Sequence, residues 1–409
     1  MLSMISPEAA LRLVLERVVV REEEMVPHAD ALGRVLARDV ASQLALPPFD
    51  NSAMDGFAVI ASDLSAASQT ASVTLQLAGI IGAGEEAQQP LSPDQCLKIM
   101  TGAPIPTRAD AVVMREEVRQ TAENIEFFQV PRSGENIRRM GSDVAQGETV
   151  LRAGTVIGAA QWAMLASLGE AQIAVRKRPR VGIIVTGAEL VAVEASLAPG
   201  QIRDSNSFAL RALTRNCGAE VVAVRQSGDT LEEFAAVLRE VAAQCDFVIT
   251  SGGVSAGDFD PVRDVLRDQA QVFFWKIAMK PGKPVMFASF EGTPVLGLPG
   301  NPASAMVSFE ILARPALLHM GGRRALQRLE VPVRLQTSLR SQAGRTEFAR
   351  CTVKLEGGQW QADFPGDQGS GRLSTMTNAN ALLVVPAETT WVEAGAMLMA
   401  RLIECPEIE

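Results

Sequence analysis

The chain has 409 residues, of which 47% are hydrophobic and 21% are charged, and these values are typical of a folded globular protein with about two to four domains. Its formal net charge of −9 at pH 7 excludes a general nucleic-acid-binding protein, which needs a basic face. The five cysteines form no C-x-x-C pair and the two histidines lie far apart, so neither a structural zinc site nor a histidine-based triad is predicted.

The N-terminal half combines helical segments with a long β-rich segment. Ser6-Pro7-Glu8 predicts a helix start, with a cap, a proline at the first position and an acid in the first turn. A second short helix is predicted over residues 30–40. Short apolar runs between residues 45 and 141 predict strands, and helical periodicity returns over residues 154–168. The β segment is therefore expected to be an insertion into a helical domain.

From residue 180 onward, strands and helices alternate along the chain. This alternation predicts a mostly parallel sheet covered by helices on both faces, and ligands bind such sheets at the carboxyl ends of the strands. A helix in this alternating part is predicted to end at Gly218. After Gly321-Gly322 the pattern predicts a small all-β domain, with Gly357-Gly358 as a hairpin turn. The expected fold class is multidomain α/β plus β, and the expected domains are 1–44 with 142–178 (discontinuous helical), 45–141 (inserted β), 179–322 (α/β) and 323–409 (C-terminal β).

Residues 247–302 contain the densest group of features that suit an anionic ligand. An apolar strand opens into Ser251-Gly252-Gly253, whose glycines let backbone N–H groups approach phosphate oxygens. Asn301 before Pro302 predicts a helix N-terminus, which also attracts anions.

Acidic and basic side chains accompany these turns. Asp258 and Asp260 offer the oxygen ligands that Mg2+ prefers. Lys276, Lys280 and Lys283 are suited to neutralising phosphate as point charges. We therefore predict a phosphate-binding, Mg2+-assisted site in this stretch.

Two other strand ends are expected to meet the same site. Thr186-Gly187-Ala188-Glu189 follows one strand, and Asp229 follows the next. Asp229 has two interpretations: it is a ligand-binding acid, or it caps a helix with Glu232 as the partner of a capping box. The sequence leaves both open.

Five motifs occur together and in order: Phe49-Asp50-Asn51-Ser52-Ala53-Met54-Asp55-Gly56, Thr101-Gly102-Ala103-Pro104-Ile105-Pro106, Ser251-Gly252-Gly253-Val254-Ser255, Lys280-Pro281-Gly282-Lys283-Pro284 and Leu298-Pro299-Gly300-Asn301-Pro302. With them the chain, from about residue 5 to 405, resembles the molybdopterin molybdenumtransferases, the family that includes the E domain of gephyrin. The resemblance implies that the α/β domain has the molybdenum-cofactor-biosynthesis fold and that the C-terminal domain is a β-barrel. It also implies an elongated homodimer with its site in a cleft between subunits. The scattered cysteines fit reduced thiols in a cytoplasmic protein. No apolar run approaches the ~20 residues of a membrane span, so no membrane partner and, given the net charge, no nucleic-acid partner is expected.

The reaction implied by the resemblance takes adenylylated molybdopterin and molybdate as substrates. Mg2+ is the implied cofactor, AMP leaves, and molybdenum ends on the dithiolene sulfurs. The substrate supplies the soft ligands for molybdenum, so the protein needs no cysteine cluster. The adenylyltransferase of the preceding step is a further implied partner.

The resemblance also assigns roles to residues, with the acids and hydroxyl of the inserted β domain expected to reach the cleft. The implied catalytic residues are Asp55, Thr101, Asp143, Glu189, Asp229, Asp260, Lys276 and Lys280. The implied substrate-binding residues are Ser251, Gly252, Gly253, Lys283, Arg138, Arg139, Asn301 and Ser374. The implied metal ligands are Asp229, Asp260 and Glu189. The sequence departs from the family pattern at Ala188, Pro261 and Ser142, next to three of these acids.

Two alternatives to molybdenum insertion remain at this point. The α/β domain alone would suit the preceding step, adenylyl transfer to molybdopterin, although the inserted β domain and the Lys-Pro-Gly-Lys-Pro turn favour insertion. A non-catalytic dimeric scaffold of the gephyrin type is the other, and the full set of acids and lysines argues against it.

Overall fold

The computed structural model describes residues 2–85, 87–254 and 260–406. The chain folds into two compact units. The first unit combines Met1–Arg38, Gly154–Trp162 and Ala171–Glu409, and the second combines Asp39–Ala153 and Ala163–Glu170. The four domains predicted from the sequence divide the chain more finely, and their boundaries stay a prediction.

Strands are numbered in chain order over the described residues. They are β1 (Leu2–Ile5), β2 (Glu23–Pro27), β3 (Val40–Ala41), β4 (Asn51–Ser52), β5 (Gly56–Val59), β6 (Val73–Ile81), β7 (Gln95–Ile99), β8 (Ala111–Met114), β9 (Val118–Thr121), β10 (Asn124–Phe127), β11 (Ile137–Arg138), β12 (Thr149–Leu151), β13 (Gln172–Arg176), β14 (Arg180–Thr186), β15 (Leu190–Val191), β16 (Ile202–Arg203), β17 (Glu220–Ser227), β18 (Phe247–Ser251), β19 (Gln271–Ile277), β20 (Met279–Lys280), β21 (Met286–Phe290), β22 (Thr293–Leu298), β23 (Glu330–Leu335), β24 (Leu339–Arg340), β25 (Thr346–Glu356), β26 (Gln359–Asp363), β27 (Ala381–Val385), β28 (Trp391–Val392) and β29 (Met397–Leu402).

The helices of the same residues are α1 (Pro7–Leu15), α2 (Ala159–Ser167), α3 (Asn206–Asn216), α4 (Leu231–Ala242), α5 (Pro261–Gln269), α6 (Pro302–Ser308), α7 (Arg314–Met320) and α8 (Ser374–Thr377). A π-helical turn over Phe309–Ala313 joins α6 to α7. No helix in the described residues has the length and apolar character needed to cross a membrane.

The central sheet of the first unit has seven strands in the order β1-β19-β21-β22-β18-β14-β17. Strands β22, β18, β14 and β17 are parallel neighbours, and β1 is parallel to β19. Only β21 runs antiparallel to both of its neighbours in this sheet. The predicted mostly parallel sheet is therefore confirmed, and its parallel half places four strand ends along one edge.

Alternate residues of β14 face opposite sides of the central sheet, and each side has its own hydrophobic core. Val181 and Ile183 face one core, which also contains Leu210 of α3 and the apolar faces of α1, α6 and α7. Ile184 faces the other core, which contains Phe234 of α4 and apolar residues of α5. The sheet is thus the middle layer between two layers of helices.

Strands β25, β26, β23, β29 and β27 form a closed five-stranded barrel, because β27 pairs back to β25. The predicted hairpin is confirmed: Gly357 and Gly358 have φ angles of +56° and +77° and connect β25 to β26. Strand β20 pairs with β25 in parallel, with Lys280 opposite Glu347. This pairing joins the α/β layers to the barrel.

The second unit is built on a six-stranded sheet in the order β8-β5-β7-β6-β10-β9. Phe57 and Phe127 pack edge to face in its core, with ring centroids 6.3 Å apart. The β-rich insertion predicted from the sequence therefore has its own sheet and core.

Two local predictions meet different outcomes near the N-terminus. The start of α1 is confirmed, since Ser6 Oγ accepts a hydrogen bond from Ala9 N at 3.2 Å and Pro7 occupies the first position. The helix predicted over residues 30–40 is wrong. A 3-10 turn ends at Asp30, and Val35 and Leu36 bridge to residues more than a hundred positions away. Non-local pairing overrides the local helical tendency here.

Candidate active site

A cavity of about 760 Å³ lies at the carboxyl ends of β14, β17, β18 and β22, and we call it the strand-end cavity. Loops 186–189, 251–253 and 299–302 contribute to its wall, together with the start of α3 and Asp229. Parallel strands deliver these loops to one edge of the sheet. Several residues predicted for the site therefore meet in it: Glu189, Asp229, Ser251, Gly252, Gly253 and Asn301.

Asn206, at the start of α3, ties two of these loops together. Its Nδ2 donates to Ser251 Oγ at 2.8 Å and to the carbonyl oxygen of Gly300 at 2.7 Å. Ser251 Oγ in turn donates to the carbonyl oxygen of Pro299 at 3.2 Å. The other amide atom, Asn206 Oδ1, is buried and has no hydrogen-bond partner among the described residues. A buried acceptor without a donor suits a ligand N–H or O–H group.

The glycine loop 251–253 is held by close packing against its neighbours. Gly252 has a φ of +96°, and a Cβ on it would lie 2.6 Å from Thr186 Oγ1. A Cβ on Gly300 would lie 3.5 Å from Gly252 Cα. The N–H of Gly252 donates to the carbonyl oxygen of Leu298 at 3.1 Å, so this group is not available for the predicted contact with phosphate. The glycine serves close packing here instead.

Three carboxylates line the strand-end cavity, those of Glu189, Asp204 and Asp229. Asp204 Oδ1 accepts a hydrogen bond from Ser207 N at 3.0 Å, at the start of α3. Asp229 Oδ2 accepts a hydrogen bond from Ala188 N at 3.1 Å, which links the loop after β17 to the loop after β14. The helix-cap interpretation of Asp229 is wrong. The cap of α4 is Thr230, whose Oγ1 accepts from Glu233 N at 3.2 Å.

Asp260 occupies a different setting from these acids. It is 8% exposed, and its Oδ2 lies 3.4 Å from Arg263 Nη1. Pro261, the next residue, lines the strand-end cavity. The described residues contain no group of three or more His, Cys, Asp or Glu side chains placed to hold a metal ion, so the predicted set of Asp229, Glu189 and Asp260 is not assembled as one. Asp258 lies outside the described residues.

Two of the three predicted lysines already contact other side chains. Lys280 Nζ lies 2.9 Å from Glu347 Oε1, and Glu347 is 2% exposed. Lys276 Nζ lies 3.8 Å from the centroid of the Trp275 ring, a cation–π contact. Lys283 is exposed and has no side-chain partner among the described residues, and the neighbouring Pro284 lines the cavity.

A barrel loop reaches the rim of the strand-end cavity. Asn301 Nδ2 donates to Ser370 Oγ at 2.9 Å. Arg350, which is 1% exposed, holds the same loop by donating from Nη2 to the carbonyl oxygen of Gly369 at 2.9 Å. Burial lowers the pKa of the Arg350 guanidinium. The predicted substrate-binding Ser374 begins α8 and is not among the residues that line this cavity.

The second unit brings together two of the predicted catalytic residues. Asp55 Oδ1 accepts hydrogen bonds from Thr101 N and from Thr101 Oγ1, both at 2.8 Å. The backbone donor, followed by the hydroxyl, holds the pKa of Asp55 below its usual value.

The other predicted residues of the second unit are at its surface. Arg139 Nη1 pairs with Asp50 Oδ2 at 2.6 Å. Arg138 and Asp143 are exposed and have no side-chain partner among the described residues. Their roles stay predictions.

Three family profiles match the chain: the MoeA N-terminal region (domain I and II) over residues 5–169, a probable molybdopterin binding domain over residues 182–319, and the MoeA C-terminal region (domain IV) over residues 332–398. A relative from Mycobacterium tuberculosis, molybdopterin molybdenumtransferase 2, is 40% identical over 393 residues, covering 95% of this chain and 96% of the relative. The chain belongs to the molybdopterin molybdenumtransferase family.

Another molybdopterin molybdenumtransferase, from Haemophilus influenzae, is 38% identical over 369 residues and covers 90% of each chain. A solved structure of a molybdopterin biosynthesis MoeA protein from Pyrococcus horikoshii is 31% identical, with a TM-score of 0.83, and covers 98% of this chain and 100% of that one. The resemblance and the fold class predicted from the sequence are both confirmed.

Sequence reasoning overlooked two residues that this molybdenumtransferase brings to the cavity. Asn206 follows Asp204 and Ser205, a run that resembles an ordinary helix cap, so its contacts across the sheet gave no local signal. Ser370 stands in the same barrel loop as the predicted Ser374, four residues earlier. Ser370 contacts Asn301 of the cavity wall, and the predicted substrate-binding role of Ser374 stays a prediction.

Proposed function

We propose that this chain is the enzyme that inserts molybdenum into molybdopterin, with the adenylylated form as its substrate and AMP as the leaving group. The observation that carries the proposal is the strand-end cavity of about 760 Å³, walled by glycine loops and carboxylates. Relatives that are similar over nearly the whole chain are named for molybdenum transfer to molybdopterin, which supports the same activity. Neither adenylyl transfer nor a scaffold role gains support from them.

The cysteines of the chain are consistent with a substrate that carries its own sulfur ligands. Cys96, Cys217 and Cys351 are buried, and burial raises the pKa of each thiol to about 12. Such thiols stay protonated and do not compete for a soft metal. The protein's part is then to bind phosphate oxygens, the pterin and the oxyanion molybdate.

Asp229 and Glu189 have the chemistry to hold Mg2+. Mg2+ in enzymes is commonly bound through one or two carboxylates, with substrate phosphates and waters completing its shell. When bound, it would neutralise charge on the phosphoanhydride oxygens. Asp260 is paired with Arg263 and is not grouped with these two acids, so we leave it out of the proposed pair of Mg2+ ligands.

The remaining residues would position the substrate. Asn206 Oδ1 offers a buried acceptor, and Lys283 offers a positive charge beside Pro284 of the cavity wall. Asp229 fixes the loop at Ala188, which keeps the carboxylates of Asp229 and Glu189 in place. Positioning and electrostatic stabilisation of this kind supply most of the rate enhancement in phosphoryl chemistry. We further propose a cytoplasmic homodimer that receives its substrate from the preceding adenylyltransferase.

The direct test supplies the purified full-length protein with adenylylated molybdopterin, molybdate and Mg2+. We expect AMP release, measured by chromatography, together with molybdenum bound to molybdopterin, measured by elemental analysis of the product. ATP with molybdopterin in place of the adenylylated substrate should give no turnover. Absence of AMP release by folded protein would reject insertion.

A further inference from the structure

A second cavity of about 270 Å³ lies in the first unit, between α3, the α6–α7 segment and the barrel. We call it the arginine cavity, because Arg314, Arg323 and Arg328 all line it. It shares no lining residue with the strand-end cavity. The proposed insertion reaction makes no use of it.

Positive charge exceeds negative charge in the wall of the arginine cavity. Glu310, which is 6% exposed, is the buried acid there. Arg328 Nε donates to Glu310 Oε1 at 2.7 Å, and Arg314 Nε lies 3.5 Å from the same oxygen. Two guanidinium groups therefore share one carboxylate.

The third guanidinium is uncompensated. Arg323 is half-buried, and its side chain has no hydrogen-bonding or ion-pair partner among the described residues. The other acid that lines the cavity, Glu404, is exposed, so solvent screens its charge.

Burial makes this charge excess costly. The Arg314 side chain is 14% exposed, and loss of solvent lowers the pKa of its guanidinium. Buried cations are ordinarily paired, since desolvation is offset only by a close counter-charge. Arg314 shares the carboxylate of Glu310 and donates to the carbonyl oxygen of Leu326 at 2.9 Å, whereas Arg323 has no counter-charge among the described residues. A bound anion would give Arg323 a partner and would add a second negative charge beside Arg314 and Arg328.

The rest of the wall is apolar, with Leu213 of α3, Phe309 of the π-helical turn and Met376 of α8 among the lining residues. Leu213 and Met376 are only partly buried, so an anion with an apolar body would cover more of this wall than a bare inorganic ion would. One guanidinium group can donate two parallel hydrogen bonds to two oxygens of a phosphate or carboxylate. Several guanidinium groups in one wall therefore suit a head group with two negative charges.

We propose that the arginine cavity binds a small organic anion, a phosphate monoester with an apolar body, at a site separate from the insertion reaction. Its head group lies among Arg314, Arg323 and Arg328, and its apolar part packs against Leu213 and Met376. The site goes beyond molybdenum insertion and is suited to an effector of the enzyme.

Phenyl phosphate is the test ligand, and inorganic phosphate is its comparison. Calorimetric titration of the full-length protein at constant ionic strength should show saturable binding, tighter for phenyl phosphate because the ring contacts the apolar wall. Arg323→Gln removes an unpaired charge, so we expect it to fold normally and to weaken binding about tenfold or more. Arg225→Gln is the matched control, since Arg225 pairs with Glu240 and does not line the cavity, and it should bind as the wild type does.

Two further variants keep the outcome unambiguous. Leu213→Trp should block the apolar part of the cavity and weaken phenyl phosphate more than inorganic phosphate. Lys283→Gln, which removes the positive charge beside the strand-end cavity, should leave the affinity unchanged. Unsaturable binding, equal affinity in Arg323→Gln and Arg225→Gln, or loss of binding in Lys283→Gln alone would each overturn the proposal, and none of these readouts depends on molybdenum insertion.

Discussion

Asp229 combines a structural contact with a place in the strand-end cavity. One oxygen accepts the hydrogen bond from Ala188 N at 3.1 Å, and the carboxylate is otherwise exposed to the cavity. An amide in the same position can accept the same hydrogen bond while carrying no charge. Asp229→Asn therefore keeps the structural hydrogen bond from Ala188 and removes only the negative charge.

We expect Asp229→Asn to fold with unchanged thermal stability and to lower the Mg2+-dependent turnover by about 10²–10³-fold, the range for loss of one preorganised electrostatic group. AMP release measured over a series of Mg2+ concentrations checks this. Asp268→Asn is the control, because that acid pairs with Arg267 at the surface and does not line the cavity. Equal turnover in the two variants would remove Asp229 from the reaction.

The Asp55–Thr101 pair makes a prediction about pH. Asp55 has a lowered pKa because it accepts the Thr101 backbone N–H and then the hydroxyl. Stability from this pair is present above the unfolded pKa of about 3.9 and is lost as the pH falls through the lower folded value. Thr101→Val removes only the hydroxyl, so we expect the pKa of Asp55 to rise part of the way back.

A carbon-detected NMR titration of the Asp55 carboxyl measures this shift. Thr121→Val is the control, because the Thr121 hydroxyl donates to the carbonyl oxygen of Asn124 and does not contact Asp55. An unmoved Asp55 titration in Thr101→Val would mean that the hydroxyl contact is not formed in solution.

At the scale of elements, the loop after β18 depends on the absence of a side chain at Gly252. The loop must pass both Thr186 and Gly300, and its backbone is in the left-handed region. A Cβ at Gly252 would therefore displace the neighbouring Ser251, whose hydroxyl accepts the hydrogen bond from Asn206. Loop position and cavity shape are therefore linked through one glycine.

Gly252→Ala should lower the free energy of unfolding by about 2–3 kcal/mol and reduce turnover at least about tenfold, because left-handed strain adds to a clash. Gly344→Ala is matched in backbone angle, with a φ of +91°, but a Cβ there meets nothing within 4 Å. That control should lose only about 1–2 kcal/mol and keep its turnover. Chemical denaturation and AMP release measure both quantities, and identical losses in the two variants would contradict a role for the clash.

The elements that could be predicted from the sequence are those whose signals are local. The cap of α1, the Gly357-Gly358 hairpin and the end of α3 at Gly218 each depend on a few adjacent residues. The cap of α4 could not be decided from the sequence, because Asp229 and Thr230 are both good caps and only the backbone geometry selects Thr230. The helix prediction for residues 30–40 was wrong because the β-bridge partners of Val35 and Leu36 are distant in the chain.

At the scale of the whole molecule, the same distinction applies to the candidate site. The motifs predicted which loops surround the strand-end cavity, since parallel strands bring consecutive loops to one edge. They could not predict Asn206, whose two contacts depend on the packing of α3 against the sheet. Nor could they reveal that the Gly252 N–H is already bonded to Leu298, because that contact depends on strand register.

The predicted residues are divided between the two units: Glu189 and Asp229 belong to the first, and Asp55, Thr101 and Asp143 to the second. Family resemblance implies a homodimer whose site uses groups from both subunits. In such a dimer, two inactive variants that are altered in different units should regain activity when they are mixed. Asp55→Asn leaves the first unit intact, and Asp229→Asn leaves the second unit intact.

Mixing equal amounts of these two variants and allowing their subunits to exchange should recover about a quarter of wild-type turnover, since half of the random dimers are mixed and each has one intact site. Asp229→Asn mixed with Asn206→Ala is the control, because both changes lie in the first unit and no arrangement yields an intact site. Exchange is verified by native mass spectrometry of differently tagged chains. If mixed dimers form and no activity returns, each site is built within one subunit, and the acids of the second unit act only on their own chain.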